Sequence, residues 1–145
     1  MIPNAKLKRT VKVLVLAGGL SHERDISLKS GRRLADALAE AGAEVVIREP
    51  DEQLFTNLAA DKPDVIWPVL HGSTGEDGAL RDILALSGVP FVGSTADSAR
   101  LAWDKSIAKI LVARAGVQTP PSVTLPKETF KELNADAVLK QVTQS

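Results

Sequence analysis

Two segments of the 145-residue chain concentrate side chains that could do chemistry. The first is Gly18-Gly19-Leu20-Ser21-His22-Glu23-Arg24, where a glycine pair precedes a serine, a histidine and a carboxylate. The second is His71-Gly72-Ser73-Thr74-Gly75-Glu76-Asp77-Gly78, and a shorter one, Gly93-Ser94-Thr95, follows it. Paired glycines let backbone N–H groups come close to a ligand. Glu23 could hold a ligand ammonium, or it could serve as the acidic residue that a helix start favours. Ser21 is open to the same two readings, as a cap or as a ligand contact. His71, one of two histidines, could donate to a ligand anion or sit satisfied within its loop. Glu76 and Asp77 have a sufficient role as caps of the helix that follows.

Several chemistries are excluded. No GxGxxG dinucleotide fingerprint and no GKS/T phosphate loop is present. A Ser–His–Asp hydrolase would need its serine on a GxSxG elbow, which is missing. Cysteine is absent, which removes disulfides, thiolate metal sites and thiol nucleophiles. His22, His71 and the nearby carboxylates lack metal-ligand spacing, so no metal site is expected. The 18 basic and 18 acidic residues cancel, which argues against a charge-driven partnership with nucleic acid or membrane. The longest apolar runs are too short for a signal sequence or a membrane span. A cytoplasmic protein is expected.

The elements that must position these segments follow from hydrophobic pattern. Residues 11–17 (VKVLVLA) read as a parallel strand buried on both faces. A helix is predicted from about Asp25, carrying Leu28, Gly31, Leu34, Ala35 and Leu38 and ending near Gly42. Val45 to Ile47 is a second strand, and a weaker helix runs from Pro50 to Ala60. Val65 to Leu70 is a third strand, in which Pro68 demands an edge or a bulge. Helix residues 79–87 and a fourth strand, Pro90-Phe91-Val92, come next. Ser94 or Thr95 can cap a further helical segment, and another helix covers about 104–115. Beyond Pro120-Pro121 lie a short strand at Val123 to Leu125 and a helical region over 127–142 with a soft spot near Asn134. This alternation is an α/β pattern: an open, mostly parallel sheet of about four strands with helices on both faces. All three polar segments then fall at the carboxyl ends of strands, where open α/β sheets bind ligands.

The same residues resemble a known family, the D-alanine–D-alanine ligases. Residues 17–31 (AGGLSHERDISLKSG) resemble its opening GG-x-S-x-E-[HR]-x-[IV]-S-L-x-S-G stretch. Residues 71–80 (HGSTGEDGAL) resemble its HGxxGEDGxL signature. PFVGS at 90–94 and Trp103-Asp104-Lys105 resemble its PYxGS and MDK elements. Four matches in order, over about 95 residues, are far more specific than one glycine motif.

The resemblance implies a Rossmann-like, pre-ATP-grasp substrate-side domain over residues 1–104. It implies an incomplete α+β beginning of an ATP-grasp central domain over residues 105–145, in a chain cut from a longer protein. It implies ATP and Mg²⁺ as cofactors of the complete enzyme, D-alanine and ATP as its small-molecule partners, and a homodimer through the N-terminal domain. Such enzymes phosphorylate one D-alanine carboxylate and let the amine of a second attack the acyl phosphate, making D-alanyl-D-alanine for peptidoglycan. By resemblance Glu23 binds the first D-alanine's ammonium, Ser21 supports that site, and His71 lies by the carboxylate and acyl phosphate. Glu23 and His71 are thus the expected catalytic positions, and Lys105 reaches ATP phosphate. Three residues depart from the pattern: Phe91 for Tyr, Trp103 for Met, and Arg81 where Gln is common. The 145 residues alone are expected to be inactive and to bind neither cofactor tightly. The alternatives are a stand-alone, non-catalytic binding or interaction domain derived from the family, and an unrelated flavodoxin-like or nucleotide-binding protein.

Overall fold

The apolar run after Val11 forms the central strand, β1 (Lys12–Leu16). The computed structural model describes residues 9–143. After β1 come α1 (Arg24–Glu40), β2 (Glu44–Arg48), α2 (Leu54–Asp61) and β3 (Val65–Pro68). The sheet is parallel and has the order β2-β1-β3. Val13 pairs with Val45 on one side and Val65 on the other, and Leu16 pairs with Arg48 and Pro68. Successive strand residues point to opposite faces, and both faces of β1 are covered. Leu14 and Leu16 enter one cluster with Leu54, Leu58, Ile66, Leu70, Leu80 and Leu84. Val13, Val15 and Ala17 enter the other, against Leu28, Leu34 and Leu38 of α1. The expected open parallel sheet with helices on both faces is therefore the architecture of this part of the chain.

α1 lies close to β1 because its buried positions are small. Ser27, Gly31 and Ala35 recur every fourth residue and face inward. A Cβ on Gly31 would stand 2.5 Å from the Cβ of Ala17, so only glycine permits this approach.

Two expected strands are corrected. Pro90-Phe91-Val92 contributes one parallel bridge, Ile66 to Phe91, and no strand. Ile66 N–H donates to Pro90 O (2.9 Å) and Val92 N–H to Ile66 O (2.9 Å). The ladder stops there: Pro90 has no N–H to donate, and Gly93, at φ +124°, turns the chain away. Val123 to Leu125 has no strand pairing among the described residues. It lies between Pro120-Pro121 and Pro126, which remove donors on both sides. Pro68, as its chemistry requires, is the last residue of β3, at the sheet edge.

The 71–78 segment, expected as loop, contains a short helix, α3 (Ser73–Glu76). It is followed by α4 (Ala79–Leu86) and α5 (Ala96–Trp103). Asp77, one of the two expected caps, accepts from Ala79 N–H at 2.8 Å. Thr95 Oγ1 accepts from Ser98 N–H at 3.3 Å.

The chain divides into two units between Trp103 and Asp104. The second holds α6 (Lys105–Arg114), α7 (Lys127–Glu132) and α8 (Ala135–Thr143). Asp104 caps α6, accepting from the N–H groups of Ser106 (2.9 Å) and Ile107 (3.1 Å). Asn134, at φ +63°, separates α7 from α8 where the sequence shows its soft spot. Among the described residues no helix is long and apolar enough to cross a membrane.

Candidate functional site

The segments after β1 and β3 meet at the carboxyl edge of the sheet. Two serines join them. Ser27 is fully buried; its Oγ accepts from Gly18 N–H (2.7 Å) and donates to Val69 O (2.6 Å). Ser21 Oγ accepts from Glu23 N–H (3.2 Å) and donates to His71 O (2.9 Å). Each hydroxyl thus takes a hydrogen bond from the β1 side and gives one to the β3 side.

Glu23 stands at the N-cap position of α1, yet its side chain makes no capping hydrogen bond. The carboxylate instead lies over Gly72: a Cβ there would be 3.1 Å from Glu23 Oε2 and 3.2 Å from Ser21 Cβ. Gly72 also has φ +75°, so both its space and its backbone exclude a side chain. Leu20, Ser21, His22, Glu23, Gly72 and Ser73 line an open cleft of about 490 Å³. Ser21 and Glu23, singled out from the sequence, are thereby brought together.

His71 is adjacent in the chain, but its ring is not part of that lining. Its Nδ1 is 3.9 Å from Glu76 Oε1, too far for a hydrogen bond. Its Nε2 is buried and has no hydrogen-bond partner among the described residues. A buried imidazole nitrogen left unpaired is costly, and a ligand oxygen would relieve it. Lys105 begins α6 in the second unit and makes interactions of its own.

Three supporting features were not among the expected site residues. Arg24 forms a two-pronged pair with Glu49, Nε to Oε2 at 2.9 Å and Nη2 to Oε1 at 2.5 Å. Gly19 N–H also donates to Glu49, at 3.4 Å. The Arg24 hydrogen bonds, aided by its charge, hold the Glu49 carboxyl below the ordinary glutamate value. Arg81 Nε donates to Ser94 O at 3.1 Å and its Nη1 to Gly75 O, tying the second and third polar segments together. Ser27 is the third. It stands in the resembled stretch over residues 17–31, and it extends the inward stripe of Gly31 and Ala35 by one turn, where a polar residue needs buried partners.

Among the described residues no group of three or more histidines and carboxylates could hold a metal ion. The residues present do not fit a Mg²⁺ site, and one lysine does not make an ATP site.

A family model described as "D-ala D-ala ligase N-terminus" matches residues 48–94, from the end of β2 through the second polar segment to Ser94. The D-alanine--D-alanine ligase of Pelagibacter ubique (strain HTCC1062) is 41% identical over 111 residues, covering 77% of this chain and 36% of that protein. The corresponding ligase of Moorella thermoacetica is 36% identical over 146 residues, covering 92% and 47%. The crystal structure of D-alanine--D-alanine ligase from Bacillus anthracis matches with a TM-score of 0.71 at 29% identity, over 87% of this chain and 42% of that one. The chain belongs to the D-alanine–D-alanine ligase family. It spans less than half the length of these relatives. The family expected from four ordered motifs is thus the family found, and the fold of the ligases' N-terminal part is the fold described above. The unrelated flavodoxin-like alternative falls.

Proposed function

We propose that this chain supplies the first D-alanine site of an ATP-dependent D-alanine–D-alanine ligase. The observation that carries the reading is Glu23: a carboxylate at a helix start, unused for capping, aimed over Gly72 into an open cleft. A charged acceptor in that position suits an ammonium, to which it offers a charge-assisted hydrogen bond. Ser21 spends its proton on His71 O, so its role is to hold the cleft's two walls together. The unpaired Nε2 of His71 is suited to an oxygen of the substrate carboxylate. Negative charge grows on that side as an acyl phosphate and then a tetrahedral intermediate form, so a donor there is worth more in the transition state than in the ground state. ATP, when bound by the complete enzyme, supplies the phosphoryl group. Lys105 is the cation we assign toward it, and residues from 105 onward are assigned to the central ATP-grasp domain.

The test is a D-alanine titration followed through the backbone amides of Glu23 and Gly72. Both should shift in the parent chain. Glu23→Gln keeps the shape but loses the charge, and should weaken the response roughly 30-fold. Equal responses in parent and variant, or none in the parent, would remove Glu23 from the site. The alternative, a non-catalytic domain using the same cleft, is separated by turnover of D-alanine in a chain extended to the length of its relatives.

A further inference from the structure

Ser27 is buried completely, carries no charge and does not line the cleft. Its hydroxyl nevertheless joins three elements. It belongs to α1, it accepts from the residue that follows the β1 exit, Gly18 (2.7 Å), and it donates to the residue that follows β3, Val69 (2.6 Å). The two residues it joins are separated by about fifty positions in sequence. From Gly18 the chain runs directly to Ser21 and Glu23; from Val69 it runs directly to His71 and Gly72. The second bridge, Ser21 to His71 O, is longer and partly exposed. Of the two bridges, that of Ser27 is the shorter and is centred on a fully buried residue, with its bond from Gly18 N–H buried and its bond to Val69 O part-buried, and buried hydrogen bonds in low dielectric hold geometry most firmly.

We propose that Ser27 is a positioning residue: its paired hydrogen bonds set the spacing between the Glu23 wall and the Gly72–Ser73 wall of the cleft. The consequence for D-alanine rests on the function proposed above, whereas the spacing itself does not. Without the hydroxyl, Gly18 N–H and Val69 C=O lose their shared partner inside the protein. Water must then enter, and the two walls separate or slide. The nearest indicator is the approach of the Glu23 carboxylate to Gly72, where a Cβ would stand 3.1 Å from Glu23 Oε2.

The experiment is proton NMR of the parent chain, Ser27→Ala and Ser27→Cys. The parent should show a cross-relaxation signal between the Glu23 side chain and Gly72 Hα. Ser27→Ala should lose that signal while those of the core, such as Leu14 to Ile66, persist. Ser27→Cys fills the space but bonds weakly, so it keeps the fold if alanine does not, and its signal should fall by at least half. A D-alanine titration run alongside should weaken about tenfold in either variant. If the Glu23–Gly72 signal is absent in the parent, or survives undiminished in the folded variants, the proposal is wrong. If it is lost as expected but D-alanine shifts nothing in the parent, the positioning role stands and the D-alanine reading falls.

Discussion

The two units of the chain use similar side chains and bury them very differently. Among the described residues every buried one lies between Val13 and Ala99, and none lies beyond. In α6, Ile107, Ile110 and Leu111 are 42%, 54% and 42% exposed, although the helix is as regular as α1. What separates them is the sheet. β1 offers two apolar faces, and α1, α2 and α4 each find one. α6 rests on local devices: the Asp104 cap, the Ser106 hydroxyl on the same carboxylate (2.5 Å), and Lys109 bonded to Pro120 O. Amphipathic sequence makes a helix in either case; only a second layer turns it into a core.

The sharpest test of that contrast is a pair of alanine substitutions. Leu14→Ala removes a fully buried side chain of the central strand and should cost about 2–5 kcal/mol. Ile110→Ala removes one that is half exposed and should change stability by no more than about 0.5 kcal/mol. Urea unfolding of both variants measures the difference; equal losses would mean that the second unit has a core of its own.

A smaller effect probes what holds the second unit. Asp104→Ala deletes the α6 cap and leaves the Ser106 and Ile107 amides without their acceptor. Hydrogen exchange at these amides should quicken roughly fivefold, with the β1 amides unchanged. Quickening in β1 as well would break the separation of the two units.

The smallest effect lies within the first unit and depends on pH. Hydrogen bonds and charge from Arg24 lower the Glu49 value, so the folded chain favours the ionised form. The resulting stability is complete above roughly pH 5. It declines as pH falls through the ordinary glutamate range and is gone below the lowered folded value. Glu49→Gln should therefore flatten the acid limb of a plot of urea midpoint against pH, without abolishing it. Asp61 keeps a similar dependence, held low by its hydrogen bonds from Arg48. The pair is solvent-facing, so the change is modest; an unchanged acid limb would show that Arg24 contributes nothing measurable there.

Sequence pattern made the first unit far more legible than the second. An unbroken run such as Val13 to Ala17 has few other uses than a two-sided strand, and the glycine-bounded segments at strand ends mark the site. The polar motifs named Ser21, Glu23 and His71 and led to the family. Their pattern did not reveal that the His71 ring stays out of the cleft lining, or that Ser21 uses its proton on backbone. Those depend on rotamers and on residues fifty positions away. Arg24 and Ser27 stand in the resembled stretch and Arg81 departs from it, but their partners were illegible for the same reason: Glu49, Gly18 N–H and the carbonyls of Val69, Gly75 and Ser94 are brought to them only by the fold. The short strands at 90–92 and 123–125 misled because β-rich composition says nothing about whether donors remain to complete a ladder beside proline.

The central place of β1 also has a consequence in time. Its two neighbours are supplied from residues 44–48 and 65–68, so two sizeable loops must close before the sheet is complete, and distant closures are slow. The serine bridges to Val69 and His71 form only when the second closure brings β3 alongside. A chain that has docked β2 but not β3 already contains Glu23 on its helix and has nothing opposite it. The cleft is therefore absent from any chain in which β3 has not docked on β1, and the closure that completes the sheet is the one that creates a place for the ligand.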